Sequence, residues 1–392
     1  MYKVLTLNAI SVKGLDRFPR ESYEVASEIG HPDAILLRSH KLSMDEIPDT
    51  VAGIGRAGAG TNNIPVAECT KRGIPVFNAP GANANAVKEL VAAAMLLGSR
   101  GIVPGISYVD TLAGISDEAE LNKTLEAAKK QFKGSELAGK TLGVVGLGAI
   151  GSLVADMALT LGMRVCGYDP ALSVDAAWRL SSQVKKVDAL ASLFQRCDYI
   201  TLHLPVLDST RGLVNAELLQ SVKPGTCLLN FARKEIVDSS AVVQSLDAGG
   251  LRGYITDFPE PALIGRDDVI LMPHIGASTD EAEENCAVMA ADQLRDFLEH
   301  GNIRNSVNFP TLVLEPAEGA RIAIANENVP KMLGNLLSIL ADEDINVIDM
   351  LNKSRDEIAY NLIDVDVCPS DQVLDKMRAI EGVINVRVIG CG

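Results

Sequence analysis

The sequence predicts an α/β protein that contains two doubly wound parallel-sheet domains and a smaller C-terminal domain. Three observations favour this fold class. Short apolar, strand-like runs alternate with helical patterns through most of the chain, which is typical of parallel sheets with helices on both faces. A glycine-rich turn at residues 146–151 joins one such strand to a helix. The C-terminal segment follows the order strand, helix, strand, strand, helix, strand, which predicts a βαββαβ unit.

The N-terminal region supplies the first set of alternating elements. Its strand-like runs are VLTLN, AILLRS, VAGIG and PVFNAP, and a helical pattern covers residues 87–98. Gly53-x-Gly55-x-x-Gly58 has the glycine spacing of a dinucleotide-binding turn, but the TNNIPV that follows contains a proline and lacks a helical period. Because the strand and helix context is missing, this motif predicts a glycine-rich turn whose N–H groups face an anion.

Residues 141–170 form the most informative stretch. A strand pattern runs into Gly146-x-Gly148-x-x-Gly151, a helical pattern follows, and a second strand ends at Asp169. The three glycines permit a tight turn, the approach of a pyrophosphate, and close packing of helix on strand. The free N–H groups of the helix then bind the pyrophosphate, and Asp169 accepts hydrogen bonds from ribose hydroxyls and repels a 2′-phosphate. This stretch predicts a Rossmann-type NAD site, with NAD preferred to NADP. The cofactor contacts expected here are Gly146, Gly148, Ala149, Ile150, Gly151 and Asp169.

Polar residues close the strand-like runs after this site. His203 ends YITLH, Arg233 follows LLNFA, Asp257 ends YITD and His274 ends LMPH. Each residue alone is more typical of a structural role, but ligands of doubly wound sheets bind beyond the carboxyl ends of the strands. A nicotinamide enzyme that acts on an alcohol needs a base and a cation that holds the substrate. His274 is the natural base and Arg233 the bidentate clamp. Glu260, the nearest acid in sequence, would favour a protonated imidazole.

The chain after His274 is predicted to form a helix, then an irregular segment and then the C-terminal domain. Ser278 to Glu281 match a capping box, so a helix is expected to run to about Glu299. An irregular, proline-containing stretch at 306–318 predicts a linker. The βαββαβ segment then occupies residues 319–392.

Composition limits the function classes. A length of 392 residues suits two or three domains, and a net charge of −15 argues against non-specific binding to nucleic acid or anionic membranes. An anionic substrate would therefore need a local basic patch. Seven cysteines with no C-x-x-C spacing predict reduced, packed thiols of a cytoplasmic protein. No signal-peptide pattern, spanning apolar helix or metal site is expected.

The order of the motifs resembles that of a known family. The glycine fingerprint, NFAR, TDFPEP and PHIGAST, in this order, resemble the D-2-hydroxyacid dehydrogenases. GRAGAGTNNI, PHIGASTDEAEENCA and the βαββαβ unit narrow the resemblance to the D-3-phosphoglycerate dehydrogenases with a C-terminal ACT regulatory domain. The resemblance covers essentially the whole chain. It implies NAD-dependent, reversible oxidation of 3-phospho-D-glycerate to 3-phosphohydroxypyruvate, the first step of L-serine biosynthesis, in a homodimer or homotetramer.

The resemblance also implies a domain layout and residue roles. A flavodoxin-like substrate-binding domain would combine residues 1–98 and 275–305, around an NAD-binding Rossmann domain at 99–274. His274, Arg233 and Glu260 would be catalytic. The implied substrate contacts are Arg38, Ser39, Arg56, Asn83 and Asn85, the further cofactor contacts His203, Ala232, Asp257 and Gly276, and the possible effector contacts Asn328 and Asn346.

Several positions depart from the family pattern. TDFPEP is two residues shorter than the family's DVFxxEP segment, which puts the role of Glu260 in question. Lys234 follows the arginine where most relatives have glycine; it either adds positive charge at the cleft or points to solvent. In the effector turn, which usually reads HENxPG, the histidine is Asn326 and the final glycine is Lys331. Serine feedback is therefore expected to be weak or absent.

Three alternatives remain open from the sequence. One is another D-2-hydroxyacid substrate such as glycerate or lactate, although the basic pair Arg38 and Arg56 favours a phosphorylated one. The second is an NAD-sensing binding protein on the same fold, like the dehydrogenase-like transcriptional corepressors, which the presence of His274 and Arg233 makes less favoured. The third is a protein that acts mainly as an amino-acid sensor through its ACT-like unit.

Overall fold

The computed structural model describes residues 1–315 and 319–391, and the chain divides into two compact units. The terminal unit comprises Met1–Asn83 and Asp280–Gly392, and the central unit comprises Ala84–Thr279. Residues 316–318 of the predicted linker, and the last residue of the predicted C-terminal domain, lie outside the described residues.

The terminal unit begins with a five-stranded parallel sheet. Its strands are β1 (Tyr2–Leu7), β2 (Tyr23–Ala26), β3 (Ala34–Leu37), β4 (Gly53–Arg56) and β5 (Val76–Phe77), with the helices α1 (Val12–Leu15) and α2 (Val66–Lys71). The strand order β2-β1-β3-β4-β5 is the flavodoxin-like order of doubly wound sheets. β3 is buried along its whole length, as expected for an apolar strand covered on both faces.

The central unit contains a seven-stranded parallel sheet. Its helices are α3 (Ala84–Leu97), α4 (Ile102–Asp110), α5 (Glu118–Ala128), α6 (Ala149–Thr160), α7 (Val174–Arg179), α8 (Leu190–Phe194), α9 (Ala216–Gln220) and α10 (Ser239–Asp247). Its strands are β6 (Thr141–Val145), β7 (Arg164–Tyr168), β8 (Lys185–Lys186), β9 (Tyr199–Leu202), β10 (Thr226–Asn230), β11 (Leu251–Thr256) and β12 (Val269–Leu271). The order β12-β11-β10-β9-β6-β7-β8 is the Rossmann order with one added strand, which confirms the α/β fold predicted for this region.

The helix α3 belongs to the central unit, where Val91, Ala94 and Met95 are fully buried in its core. Among the described residues, no single helix has the length and apolar character needed to cross a membrane. The pair α3 and α4 meets that requirement by length and composition alone, with a bend of 70° between the two helices.

The chain re-enters the terminal unit with α11 (Asp280–His300), at the place where a helix was predicted to run to about Glu299. This helix packs directly on β4. A Cβ on Gly55 would lie 2.7 Å from Leu294 Cδ1, and a Cβ on Gly53 would lie 3.0 Å from the Phe297 ring. The first two glycines of the Gly53 motif therefore lie in a strand, and their lack of side chains lets α11 pack closely on it. The prediction that they form an anion-facing turn is wrong.

The C-terminal part of the terminal unit is a four-stranded antiparallel sheet. Its elements are β13 (Ala320–Glu327), α12 (Met332–Asp342), β14 (Val347–Arg355), β15 (Ile358–Val365), α13 (Asp371–Arg378) and β16 (Val383–Ile389). This is the predicted βαββαβ order, and the strands lie in the order β14-β15-β13-β16.

The alternation of side chains on β13 explains how this sheet is covered on both faces. Ile322 and Ile324 point to the side on which α12 and α13 pack. Ala323 and Ala325 point to the other side and join the core formed by the five-stranded sheet and α11. The C-terminal sheet therefore packs against the rest of the terminal unit through the small residues of β13 and through Ile358, Tyr360 and Leu362 of β15.

A buried arginine of this sheet forms an ion pair within the sheet and also bonds to the end of α11. Arg321 donates from Nε and Nη2 to the Asp364 carboxylate at 2.6 and 2.8 Å. Its Nη1 donates to the carbonyls of His300 and Leu314, both at 2.9 Å, and its Nη2 also donates to the carbonyl of Glu315 at 2.8 Å. Because its hydrogen bonds reach both a carboxylate and backbone carbonyls, Arg321 is satisfied although it is buried.

The structure corrects the expectation that all cysteines are reduced. Cys368 and Cys391 form a disulfide with their Cα atoms 5.7 Å apart. The two residues are 23 positions apart in a region without a recognisable cysteine motif, so spacing alone did not reveal the pair. Five cysteines are free, namely Cys69, Cys166, Cys197, Cys227 and Cys286.

Candidate active site

The polar residues predicted at strand ends lie along one edge of the central sheet. The strand register places one row of residues across the sheet: Leu271, Thr256, Asn230, Leu202, Val145 and Tyr168. The chain positions just after this row include Asp257, His203, Gly146 and Asp169. β6 lies between β7 and β9, where the strand order reverses. This is the switch point at which doubly wound sheets bind ligands.

The glycine turn after β6 is shaped by packing at its first and third positions. Gly146 has φ +89°, and a Cβ there would lie 2.4 Å from the carbonyl oxygen of His203. A Cβ on Gly151 would lie 1.9 Å from the carbonyl oxygen of Gly146. At Gly148 a Cβ would meet none of the described atoms within 4 Å, so this glycine leaves the backbone open to a ligand. The α6 helix begins at Ala149, and its first N–H groups face the same turn.

Asp169 is fixed beside this turn. Its Oδ2 accepts a hydrogen bond from the Leu147 N–H at 2.9 Å, and its Oδ1 accepts one from the Ala171 N–H at 3.0 Å. The carboxylate is thereby held at the end of β7 next to the glycine turn. The turn, the helix start and this acid together fit a dinucleotide with an unphosphorylated ribose.

His203 lies at the switch point in an uncharged state. Its Nε2 is 2.9 Å from Thr201 Oγ1, while its Nδ1 is buried and has no hydrogen-bond partner among the described residues. Burial lowers the pKa of His203 to about 3, so the ring is neutral at physiological pH. A buried nitrogen without a partner is the kind of group that a bound cofactor satisfies.

A buried asparagine shapes the loop that carries Arg233. Asn230, at the end of β10, donates from Nδ2 to the Arg233 carbonyl at 2.9 Å and accepts from the Ala232 N–H at 3.1 Å. The Arg233 side chain donates from Nη1 to the Ala232 carbonyl at 2.7 Å, and the residue is exposed. The loop therefore presents a guanidinium just beyond the sheet edge.

A buried aspartate shapes the loop that carries His274. Asp257 accepts hydrogen bonds from the N–H groups of Ile275 at 2.8 Å and Gly276 at 2.7 Å. His274 has φ +59°, a left-handed conformation that is uncommon for this residue type. Its exposed ring packs against Phe258 with centroids 4.9 Å apart. Strained backbone of this kind clusters at functional sites, and here it holds an imidazole at the edge of the sheet.

Glu260 has a different partner from the predicted one. Its Oε1 accepts a hydrogen bond from Ser239 Oγ, at the start of α10. Within the part of the chain that the structure describes, no hydrogen bond joins Glu260 to His274. The catalytic role of Glu260 stays a prediction.

The predicted basic pair lies in the terminal unit. Arg56 donates from Nε to the Arg38 carbonyl at 3.1 Å, and its guanidinium lies against Gly58, where a Cβ would be 1.7 Å from Nη1. Arg38 donates from Nη2 to the Glu283 carboxylate on α11. Ser39 follows β3 and is exposed. The structure thus brings the two arginines together and adds an acid that the sequence did not suggest.

Comparison with known proteins decides the family. The profile described as "D-isomer specific 2-hydroxyacid dehydrogenase, NAD binding domain" matches residues 109–276. A D-3-phosphoglycerate dehydrogenase of Haemophilus influenzae is 33% identical over 402 residues, which cover 98% of this chain and 93% of that protein. The chain belongs to the D-isomer-specific 2-hydroxyacid dehydrogenase family. Its central unit carries the NAD-binding domain of that family.

Two further comparisons agree. A D-3-phosphoglycerate dehydrogenase of Synechocystis sp. is 34% identical over 363 residues, which cover 87% of this chain and 62% of that longer protein. The solved structure of an NAD+-bound 3-phosphoglycerate dehydrogenase from Entamoeba histolytica has a TM-score of 0.59 and 27% identity. It covers 79% of this chain and 99% of its own length.

The remaining predicted residues make local contacts. Asn85 lies in the first turn of α3, where it donates to Glu89 at 2.8 Å and accepts from Lys88 at 2.6 Å. Asn83 precedes that helix as the last residue of the first terminal segment. The possible effector residues also bond nearby: Asn328 Nδ2 donates to the Asp356 carbonyl at 3.2 Å, and the Asn346 N–H donates to Asp366 at 3.1 Å.

Three residues of these sites were not found from the sequence. They are Glu283 beside Arg38, Ser239 beside Glu260, and Phe258 against His274. Phe258 and Glu283 lie within the quoted motifs TDFPEP and PHIGASTDEAEENCA, but the motifs do not show which residues they contact. Glu283 and Ser239 contact residues that are distant in sequence, so only the fold reveals the pairs.

Proposed function

We propose that the protein catalyses the NAD-dependent, reversible oxidation of 3-phospho-D-glycerate to 3-phosphohydroxypyruvate, the first step of L-serine biosynthesis. The observation that carries this proposal is the edge of the central sheet, where a dinucleotide-type turn follows β6, an exposed arginine follows β10 and an exposed histidine follows β12. The full-length similarity to D-3-phosphoglycerate dehydrogenases supports the choice of substrate.

The residues of the central unit divide the chemistry among them. The turn from Gly146 to Gly151 and Asp169 would hold NAD, which supplies the hydride acceptor when bound. His274 accepts the proton of the C2 hydroxyl as the carbonyl forms, and returns it in the reverse direction. Arg233 binds the substrate carboxylate through two N–H groups. Glu260, held by Ser239, is proposed as the third catalytic residue.

Further cofactor contacts are assigned to His203, Ala232, Asp257 and Gly276. His203 offers a neutral, buried ring nitrogen at the switch point. Asp257 and Gly276 are bonded to each other, so they support a cofactor mainly by fixing the loop beyond β12.

The phosphate end of the substrate is assigned to the terminal unit. Arg38 and Arg56 provide two guanidinium groups in a chain whose net charge is −15, and Ser39 lies next to them in sequence. Asn83 and Asn85 are proposed to offer amides to the substrate. Because α3 belongs to the central unit, the proposed substrate-binding domain narrows from residues 1–98 and 275–305 to residues 1–83 and 280–305, and the proposed NAD-binding domain extends to residues 84–279.

The C-terminal βαββαβ unit, residues 319–392, is proposed to be an ACT-like domain that supports a homodimer or homotetramer of a cytoplasmic enzyme. Lys331 begins α12 with φ +74° at the position where the family pattern has glycine. A lysine at this turn crowds a ligand that would approach the backbone near Asn328 and Asn346, so we expect serine to inhibit weakly or not at all.

A substrate panel tests the proposal against glycerate or lactate as the substrate. Steady-state kcat/KM with NAD is measured for 3-phospho-D-glycerate, D-glycerate and D-lactate. Two charge-assisted hydrogen bonds to phosphate, at about 1.5–3 kcal/mol each, give an expected preference of at least about a hundredfold for the phosphorylated acid. Equal kcat/KM values for 3-phosphoglycerate and glycerate would exclude 3-phosphoglycerate as the preferred substrate. Turnover of none of the three acids above background would instead favour an NAD-sensing protein.

A further inference from the structure

The arginine pair, Arg38 just after β3 and Arg56 at the end of β4, lies beside a carboxylate from another element of the terminal unit. Glu283 lies in the first turns of α11, and its Oε1 accepts a hydrogen bond from Arg38 Nη2. Each of these two side chains keeps 39% of its surface exposed, so an incoming anion can reach both. Arg56 is held close by, because its Nε donates to the Arg38 carbonyl.

The same three charges also act on the thiol of Cys286. Burial raises the pKa of Cys286; the guanidiniums of Arg56 and Arg38 oppose that rise, and the carboxylate of Glu283 adds to it. Two positive charges and one negative charge therefore surround the same point of the terminal unit. Glu283 therefore brings a negative charge to the site of the arginine pair.

This negative charge matters for a phosphate ligand. A phosphate monoester carries a charge of about −1.5 to −2 at pH 7. A carboxylate bonded to Arg38 occupies one of the donors that phosphate needs, and it also repels an approaching dianion. Phosphate binding must therefore displace Glu283 or bear its repulsion.

We propose that Glu283 is a specificity-determining residue that competes with phosphate for Arg38 and so sets the affinity of the arginine pair for phosphorylated ligands. The inference rests on the proposed assignment of Arg38 and Arg56 to the substrate phosphate. Its consequence is that inorganic phosphate binds weakly to the native enzyme, which limits inhibition by this abundant anion.

The chain offers a matched set of variants. Glu283→Gln keeps an oxygen that can accept from Arg38 but removes the charge, and Glu283→Ala removes both. Glu284→Gln changes the net charge by the same amount at the next residue, whose carboxylate pairs with the exposed Lys13 instead. If Glu283 acted by orienting Arg38 rather than by competing, Glu283→Ala would weaken phosphate binding and Glu283→Gln would not change it.

The test is the dissociation constant of inorganic phosphate for the full-length protein, measured by phosphorus NMR titration. Removal of a like charge at a half-exposed site is expected to tighten binding by about three- to tenfold in both Glu283 variants, and by less than about twofold in Glu284→Gln. The gain should disappear when Arg38→Ala is added, because the competition is then lost. In steady-state assays, KM for 3-phosphoglycerate should fall by a similar factor in Glu283→Gln, with kcat unchanged and no change for D-glycerate.

The other outcomes would contradict either the role of Glu283 or the proposed function. Unchanged or weaker phosphate binding in Glu283→Gln, an equal gain in Glu284→Gln, or no phosphate binding by any variant would overturn the role of Glu283. If the protein does not turn over 3-phosphoglycerate but Glu283→Gln still binds phosphate more tightly, the proposed function fails while the competition by Glu283 stands.

Discussion

Two histidines of the central unit follow β9 and β12 at the same edge of the sheet but have different surroundings. His203 is held by Thr201, and burial lowers its pKa to about 3, so it stays neutral and cannot serve as a base that gains a proton near pH 7. His274 is exposed and is held in a left-handed conformation by the loop that Asp257 fixes. This contrast supports the proposal that His274, rather than His203, transfers the proton.

Replacement of His274 tests this assignment. His274→Ala is expected to lower kcat by about a hundredfold or more, because a positioned acid or base contributes roughly that factor. Binding of NADH, followed by fluorescence titration, should change by less than about twofold, since the glycine turn and Asp169 are untouched. His203→Ala is the matched control, and it should weaken NADH binding more than it lowers kcat. Near-normal turnover of His274→Ala at every pH would contradict the assignment.

At the scale of elements, local patterns predicted well wherever structure depends on neighbours in sequence. The β6–α6–β7 unit follows its glycine pattern, and α11 lies where a helix was predicted. The Gly53 motif was misjudged because Gly53 and Gly55 contact Phe297 and Leu294, which lie far along the chain. The residues of the site show the same difference between local patterns and contacts that are distant in sequence. His274, Arg233 and Asp169 were recognised from strand ends, whereas Glu283 and Ser239 required the folded chain.

The start of α12 gives a prediction at this scale. Lys331 has φ +74°, and a left-handed conformation costs an L-residue with a side chain about 1–2 kcal/mol. Glycine avoids this strain but has a more flexible unfolded state, so Lys331→Gly should raise the free energy of unfolding by about 0.5–1 kcal/mol. Chemical denaturation measures the change. Lys331→Ala removes the same side chain and keeps the strain, so it should give no gain; equal stabilisation by both variants would show that the conformation is not the cause.

At the scale of the whole molecule, the C-terminal sheet is part of the terminal unit and shares its core. The sequence alone could not show this, because the residues of β13 and β15 on this face pack against α11 and the five-stranded sheet, which are distant in sequence. The disulfide between Cys368 and Cys391 was also missed for lack of a motif. The βαββαβ order itself was predicted, since each of its elements has a local pattern.

The buried pair of Arg321 and Asp364 is expected to hold this arrangement together. Asp364→Ala leaves the Arg321 guanidinium buried without its carboxylate, which should lower the free energy of unfolding by about 3–5 kcal/mol. Glu343→Ala breaks the more exposed pair with Lys376 in the same region and should cost less than about 1 kcal/mol. Denaturant titration compares the two variants with the native chain. Similar small losses in both would mean that the buried pair does not fasten the sheet.

The central claim is that this chain is an NAD-dependent dehydrogenase of a phosphorylated 2-hydroxy acid. It is tested most directly by the rate of NADH oxidation with 3-phosphohydroxypyruvate, measured with and without serine. We predict saturable oxidation of NADH that exceeds the rate with NADPH by at least about tenfold, because Asp169 accepts bonds from ribose hydroxyls and repels a 2′-phosphate. Serine at sub-millimolar concentration should leave this rate unchanged. No oxidation of NADH above the rate without enzyme would contradict the claim.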